Sequence, residues 1–173
     1  MSVYEAIKNR RSVRKYTGEA IDEAKINQIV EAGLLSPSGK HINPWELILV
    51  RDKNTLAKLS ESRLSGAAML KDADACIVVV ANTDATDVWT EDCSIVMAYM
   101  HLMADSLGVG SCWIQGRLRD AQNQTTDDYL RDLLGYPDNY SVEAMLSLGM
   151  PEAHPEPRSV DDELLSKLHR EKF

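Results

Sequence analysis

Arg10-Arg11-Ser12-Val13-Arg14-Lys15-Tyr16 sets four cations within six residues of a chain that is otherwise acidic, with 27 Asp and Glu against 19 Lys and Arg. Guanidinium groups stay charged and grip phosphate oxygens through paired donors, and a serine among them adds a compact hydroxyl for the same anion. One reading of the stretch is therefore a site for a phosphorylated ligand. The other is a basic cap closing a first helix, where cations offset the partial negative charge of the helix C-terminus. Spacing alone leaves both open.

Working outward, the 173 residues suit one domain spanning 1–173 with a sizeable core, and an apolar fraction of 44% is ordinary for a globular chain. A net charge of −8 argues against nucleic-acid binding, which needs a broad positive face. Cys76, Cys93 and Cys112 are odd in number and form no CxxC pair, so buried thiols in a reduced, cytoplasmic protein are expected. His41, His101, His154 and His169 lack the spacing of metal ligands or of a triad, so no metal site is expected. The N-terminus has no apolar signal core, and no apolar run reaches membrane-spanning length.

The periodicity predicts a helix over Val3–Asn9 and a second one capped by Asp22, with Ile26, Ile29, Val30, Gly33 and Leu34 on one face. Ser36-Pro37-Ser38-Gly39 ends it, and a polar loop runs on through Lys40-His41-Ile42-Asn43-Pro44. Strands are expected at Trp45–Val50, Ala75–Ala81, Gly110–Ile114 and Val142–Leu148; near-continuous apolarity in the second implies cover on both faces. Helices are expected over Asn54–Arg63, Gly66–Asp72 and Thr125 or Thr126 to Leu134, and Ser159 with Asp162 reads as a capping box for a last helix reaching about Arg170. The longest helix, Thr90–Leu107, stops at Gly108 and has almost no polar face, which predicts a homodimer with this helix at or near the interface, simple core packing being the second reading. Helices and strands alternate irregularly, which favours an α+β fold over a doubly wound sheet.

Three separated pieces, Arg10–Tyr16, Ser36–Trp45 and Gly108–Gly116, occur in an order and spacing that resemble the nitroreductase family of FMN-dependent oxidoreductases. The resemblance covers nearly the whole chain. It implies a nitroreductase-like fold, a central mostly antiparallel sheet flanked by helices, in an intertwined homodimer with FMN in clefts touched by both subunits. The tail 159–173 is expected to pack on the partner subunit.

By the same resemblance, Arg10 and Ser12 occupy the positions that hold the FMN phosphate, and Arg158 completes that grip. Arg11 matches a backbone contact. Arg14 stands beside the pyrimidine edge of the flavin, where a cation stabilises the negative charge that reduction leaves. Pro37 and Ser38 match the family, while His41 replaces an asparagine that touches the flavin edge. Ile114, Gln115 and Gly116 form the turn whose amides face flavin N5 and O4, with Gln115 in place of a common acidic residue. Glu156 stands where a lysine is frequent. The resemblance thus implies hydride transfer from NADH or NADPH through flavin N5 to nitroaromatics, quinones or similar small acceptors by a ping-pong mechanism, with no catalytic side chain. A flavin carrier or sensor, or another flavin reaction on the same fold, is the alternative.

Overall fold

The protein's structure, a computed structural model, describes residues 2–173. In chain order its elements are α1 (Val3–Asn9), α2 (Glu23–Leu34), β1 (Trp45–Val50), α3 (Lys53–Leu59), β2 (Ala75–Asn82), α4 (Trp89–Ser106), β3 (Gly110–Gln115), α5 (Thr126–Leu134), β4 (Tyr140–Gly149) and α6 (Asp162–Leu165). The strands form one antiparallel sheet in the order β1-β2-β4-β3, so β3 is an edge. This is the α+β arrangement the irregular alternation predicts.

β2 shows why the sheet lies at the centre. Successive side chains of a strand point to opposite faces. Ile77, Val79 and Ala81 join Ile26 and Ile29 of α2 with Val96, Met97 and Met100 of α4 on one side. Cys76, Val78 and Val80 meet Leu56 and Leu59 of α3 and Leu130 of α5 on the other. Each large side chain so buried contributes about 1.5–3 kcal/mol over leaving it in water. The caps follow the sequence: the Asp22 carboxylate accepts from Ala24 N at 2.8 Å, and Thr125 Oγ1 accepts from Asp128 N at 3.0 Å.

The basic stretch is stitched to this sheet. Val13 N donates to Ser111 O at 2.9 Å, and Thr17 N donates to Met150 O at 2.9 Å. Val13 and Tyr16 are buried, so the cations between and before them stay near the surface. A Cβ on Gly149 would stand 2.5 Å from the Tyr16 ring, so that strand position must lack one for the ring to lie flat on the sheet.

Three expectations need correction. The helix read as Asn54–Arg63 stops at Leu59, because Ser60 and Ser62 turn their hydroxyls back to Ala57 O and Leu59 O and compete with the helix pattern. Gly66–Asp72 is a single 3-10 turn over Ala68–Lys71. The terminal helix spans only Asp162–Leu165 and is capped by Asp161, not Ser159; Leu164 and Leu165 are exposed, and so short a helix has no packing to extend it. No helix among the described residues is long and apolar enough to cross a membrane.

Candidate functional site

Arg10, Ser12 and Arg158, remote in sequence, line one cleft of about 930 Å³. Its walls are apolar: Tyr4 and Ile7 of α1, Ala98 and Leu102 of α4, Trp113 of β3, and Val160 and Leu164 of the tail. A cavity of this size with a few convergent polar groups suits a bound organic cofactor. The tail is brought there by backbone, since Arg158 N donates to Lys8 O at 2.9 Å and Arg11 Nη1 donates to the Glu156 carbonyl. Arg11 therefore faces the tail rather than the cleft, and the Glu156 side chain is exposed.

Arg10 is held from beneath. Its Nη1 donates to Nε2 of His101, on the buried side of α4, at 2.8 Å. An accepting Nε2 leaves the ring proton on Nδ1, which donates to Ser111 Oγ at 2.6 Å. Burial, with the Arg10 charge adding to it, pushes the His101 pKa down to about 4, so the ring is neutral near pH 7 and can accept. Arg14 is exposed and lies outside the cleft lining. Together with Ser12 it lies beside the Cys112 thiol, whose pKa burial nevertheless raises; that thiol is buried, as expected of an inert cysteine.

The second piece of the site is the end of β3. Gly116 N donates to Glu143 O at 3.0 Å, and the ladder pairs Ile114 with Met145 and Gln115 with Ala144. Antiparallel ladders alternate bonded and outward-facing pairs, so the Gln115 N–H points to the free edge of the sheet while the Ile114 and Gly116 amides point into it. Two amides aimed at a ligand, as the resemblance implied, thus reduce to one from this turn. A Cβ on Gly116 would stand 3.0 Å from both Val142 methyls, so packing against β4, rather than close approach of a ligand, requires glycine. The Gln115 side chain is clamped between Trp113 Nε1, which donates to its Oε1 at 2.9 Å, and Glu143 Oε1, which accepts from its Nε2 at 3.1 Å. Burial raises the Glu143 pKa, and its Oε2 is buried without a partner among the described residues.

The third piece lies outside the cleft lining. Pro37, Ser38 and His41 sit on the loop after α2 and do not line the cleft. Lys40, His41 and Asn43 all have positive φ, at 52°, 58° and 52°. Side chains rarely adopt such values, and three in one loop need outside support. Asn43 N donates to Ser38 Oγ at 3.0 Å, and Gly39 N donates to Asp92 Oδ1 of α4 at 2.8 Å. Trp45 is buried in the core.

Sequence reading passed over His101. Its signal was an imidazole set among Met97, Met100 and Ala104 on the inward face of α4. A buried polar group on such a face requires partners, and here they are Arg10 and Ser111.

The sequence pattern of the nitroreductase family matches residues 7–68 and 61–150. An Archaeoglobus fulgidus protein named for NADH dehydrogenase/NAD(P)H nitroreductase is 37% identical over 172 residues, 96% of each chain. The solved FMN-dependent nitroreductase of Clostridium difficile superposes with a TM-score of 0.93 at 40% identity, over 97% of this chain and 98% of that one. A Desulfovibrio desulfuricans structure solved in complex with FMN superposes with a TM-score of 0.80 at 25% identity, over 100% of this chain and 98% of that one.

Proposed function

Since the chain belongs to the nitroreductase family, we propose that it is an FMN-dependent oxidoreductase that passes a hydride from NADH or NADPH to nitroaromatic, quinone or similar small acceptors by a ping-pong mechanism. The observation that carries this reading is the gathering of Arg10, Ser12 and Arg158 in one apolar-walled cleft of a chain with net charge −8. Cations that could have been scattered converge where a phosphate monoester would sit.

The residues present fit FMN. Arg10 and Arg158 would supply charge-assisted donors to its phosphate and Ser12 a hydroxyl. The outward Gln115 N–H, already turned from the ladder, would meet the edge of the ring system, and Arg14 would oppose negative charge at its pyrimidine side. Bound FMN would supply the two-electron chemistry. The chain's part is to bind, orient and shield, and no side chain is assigned as acid or base.

A homodimer completes this reading. Tyr4 and Ile7 beside the cleft are 66% and 53% exposed, and Leu165 and Leu168 of the tail 56% and 63%. That apolar surface supports a second copy packing over α1 and α4, with residues 159–173 reaching it. The partner's loop would then bring Pro37, Ser38 and His41 to the cleft, and its contacts would hold their positive φ values. The three free cysteines suit a cytoplasmic site of action.

Anaerobic mixing of the purified protein with NADH and then with NADPH tests the activity. The flavin absorbance of the yellow protein should bleach with one or both donors and return on adding a quinone. A yellow protein inert to both donors would leave a carrier, and a colourless one that takes up no FMN would end the reading.

A further inference from the structure

His101 is the buried imidazole in the wall of the cleft, and neither the family pattern nor the proposed chemistry assigns it a task. It is 6% exposed, in contact with Arg10 on one side and Ser111 on the other. We propose that His101 is a positioning residue for phosphate recognition, a neutral acceptor that holds the Arg10 guanidinium in the one orientation that leaves its other donors free for the anion in the cleft. The inference rests on the FMN reading above but adds a residue and a role to it.

The geometry supports this in three ways. A carboxylate that steadied the arginine would cancel part of its charge; His101 fixes Nη1 without adding an opposing charge. No salt bridge to Arg10 is present among the described residues, so its positive charge is left for a ligand. The tether is also shared with the segment that follows the cation. Ser111 O accepts from Val13 N at 2.9 Å, and Ser111 Oγ accepts from His101 Nδ1 at 2.6 Å. One residue of β3 thus anchors both the backbone three residues after the arginine and the imidazole beneath its side chain. Freezing a long, rotamer-rich side chain before the ligand arrives lowers the entropy lost on binding.

The role predicts selectivity for the phosphate rather than for the ring. Protein freed of flavin is titrated with FMN and with riboflavin, which lacks the phosphate, reading flavin fluorescence. Wild type should bind FMN more tightly than riboflavin. His101→Ala should weaken FMN roughly ten-fold and leave riboflavin within about two-fold. His101→Gln, whose carbonyl can accept from Arg10 and whose amide can donate to Ser111, should recover most of the FMN preference.

Equal weakening of both flavins by His101→Ala would mean a purely structural residue and overturn the inference, as would unchanged FMN binding. If His101→Ala fails to fold, His101→Gln and Ser111→Ala decide: an FMN-to-riboflavin ratio kept by the first and reduced by the second supports the tether, and any other pattern refutes it. A wild type that shows no preference for FMN defeats the FMN reading itself, and the inference with it.

Discussion

The two ends of the candidate site are built in opposite ways. At the phosphate end, Arg10 and Ser12 lie on a segment bonded to β3, and Arg10 rests on His101 of α4 at 2.8 Å. At the ring end, Ser38 and His41 lie on a loop with positive φ at three non-glycine residues, held from within this chain by Asp92 and by its own hydroxyl and amide. The first is tied by hydrogen bonds to two elements of the core; the second carries three positive-φ residues on a few local hydrogen bonds. Under the proposed function, the phosphate is met by preorganised charge, and the ring would be placed with help from the loop of a second copy.

The contrast can be strained hardest by acid. His101 has a folded pKa of about 4 against an ordinary 6.5, so the unfolded chain binds its proton first as pH falls. The stability this residue contributes is present above pH 6.5, declines as pH falls from there through about 4, and is lost by an amount on the order of 3 kcal/mol. Urea unfolding at pH 7 and at pH 4 should show the wild type losing more than His101→Gln by roughly that margin. Equal losses would mean that the phosphate end is not anchored by a neutral imidazole.

Arg10→Ala comes next. It should weaken FMN binding by about 1.5–3 kcal/mol and, by leaving the buried His101 Nε2 without its donor, also lower the stability of the flavin-free protein by about 1 kcal/mol, read by fluorescence titration and calorimetry. Ser38→Ala should cost less, about 1 kcal/mol in FMN affinity, because the loop loses its internal tie to Asn43 but keeps that to Asp92. A Ser38→Ala loss exceeding that of Arg10→Ala would reverse the ranking of the two ends. The smallest change is expected from Arg14→Ala: a lower reduction potential of the bound flavin, seen in anaerobic redox titration, with little change in affinity.

Much of the fold was legible because its signals are local and repeated. The β-branched run Ala75–Ala81, the inward faces of α2 and α4, and the caps at Asp22 and Thr125 each follow from a few neighbouring residues. The resemblance likewise brought Arg10, Ser12 and Arg158 into one site, and the cleft unites them. What stayed hidden depends on pairing across the chain. That Gly116 N–H is consumed by Glu143 O, leaving Gln115 outward, follows from the β3–β4 register, which no local pattern states. The short terminal helix failed for a related reason: capping residues mark where a helix can begin, but its length depends on what Leu164 and Leu165 can pack against.

Ser111 joins the outermost strand to both the cationic segment and the imidazole below it. When the sheet margin flexes, arginine and support travel together, as two jaws fixed to a single hinge pin. The gap offered to an anion should therefore keep its width through thermal motion that would otherwise open and shut it.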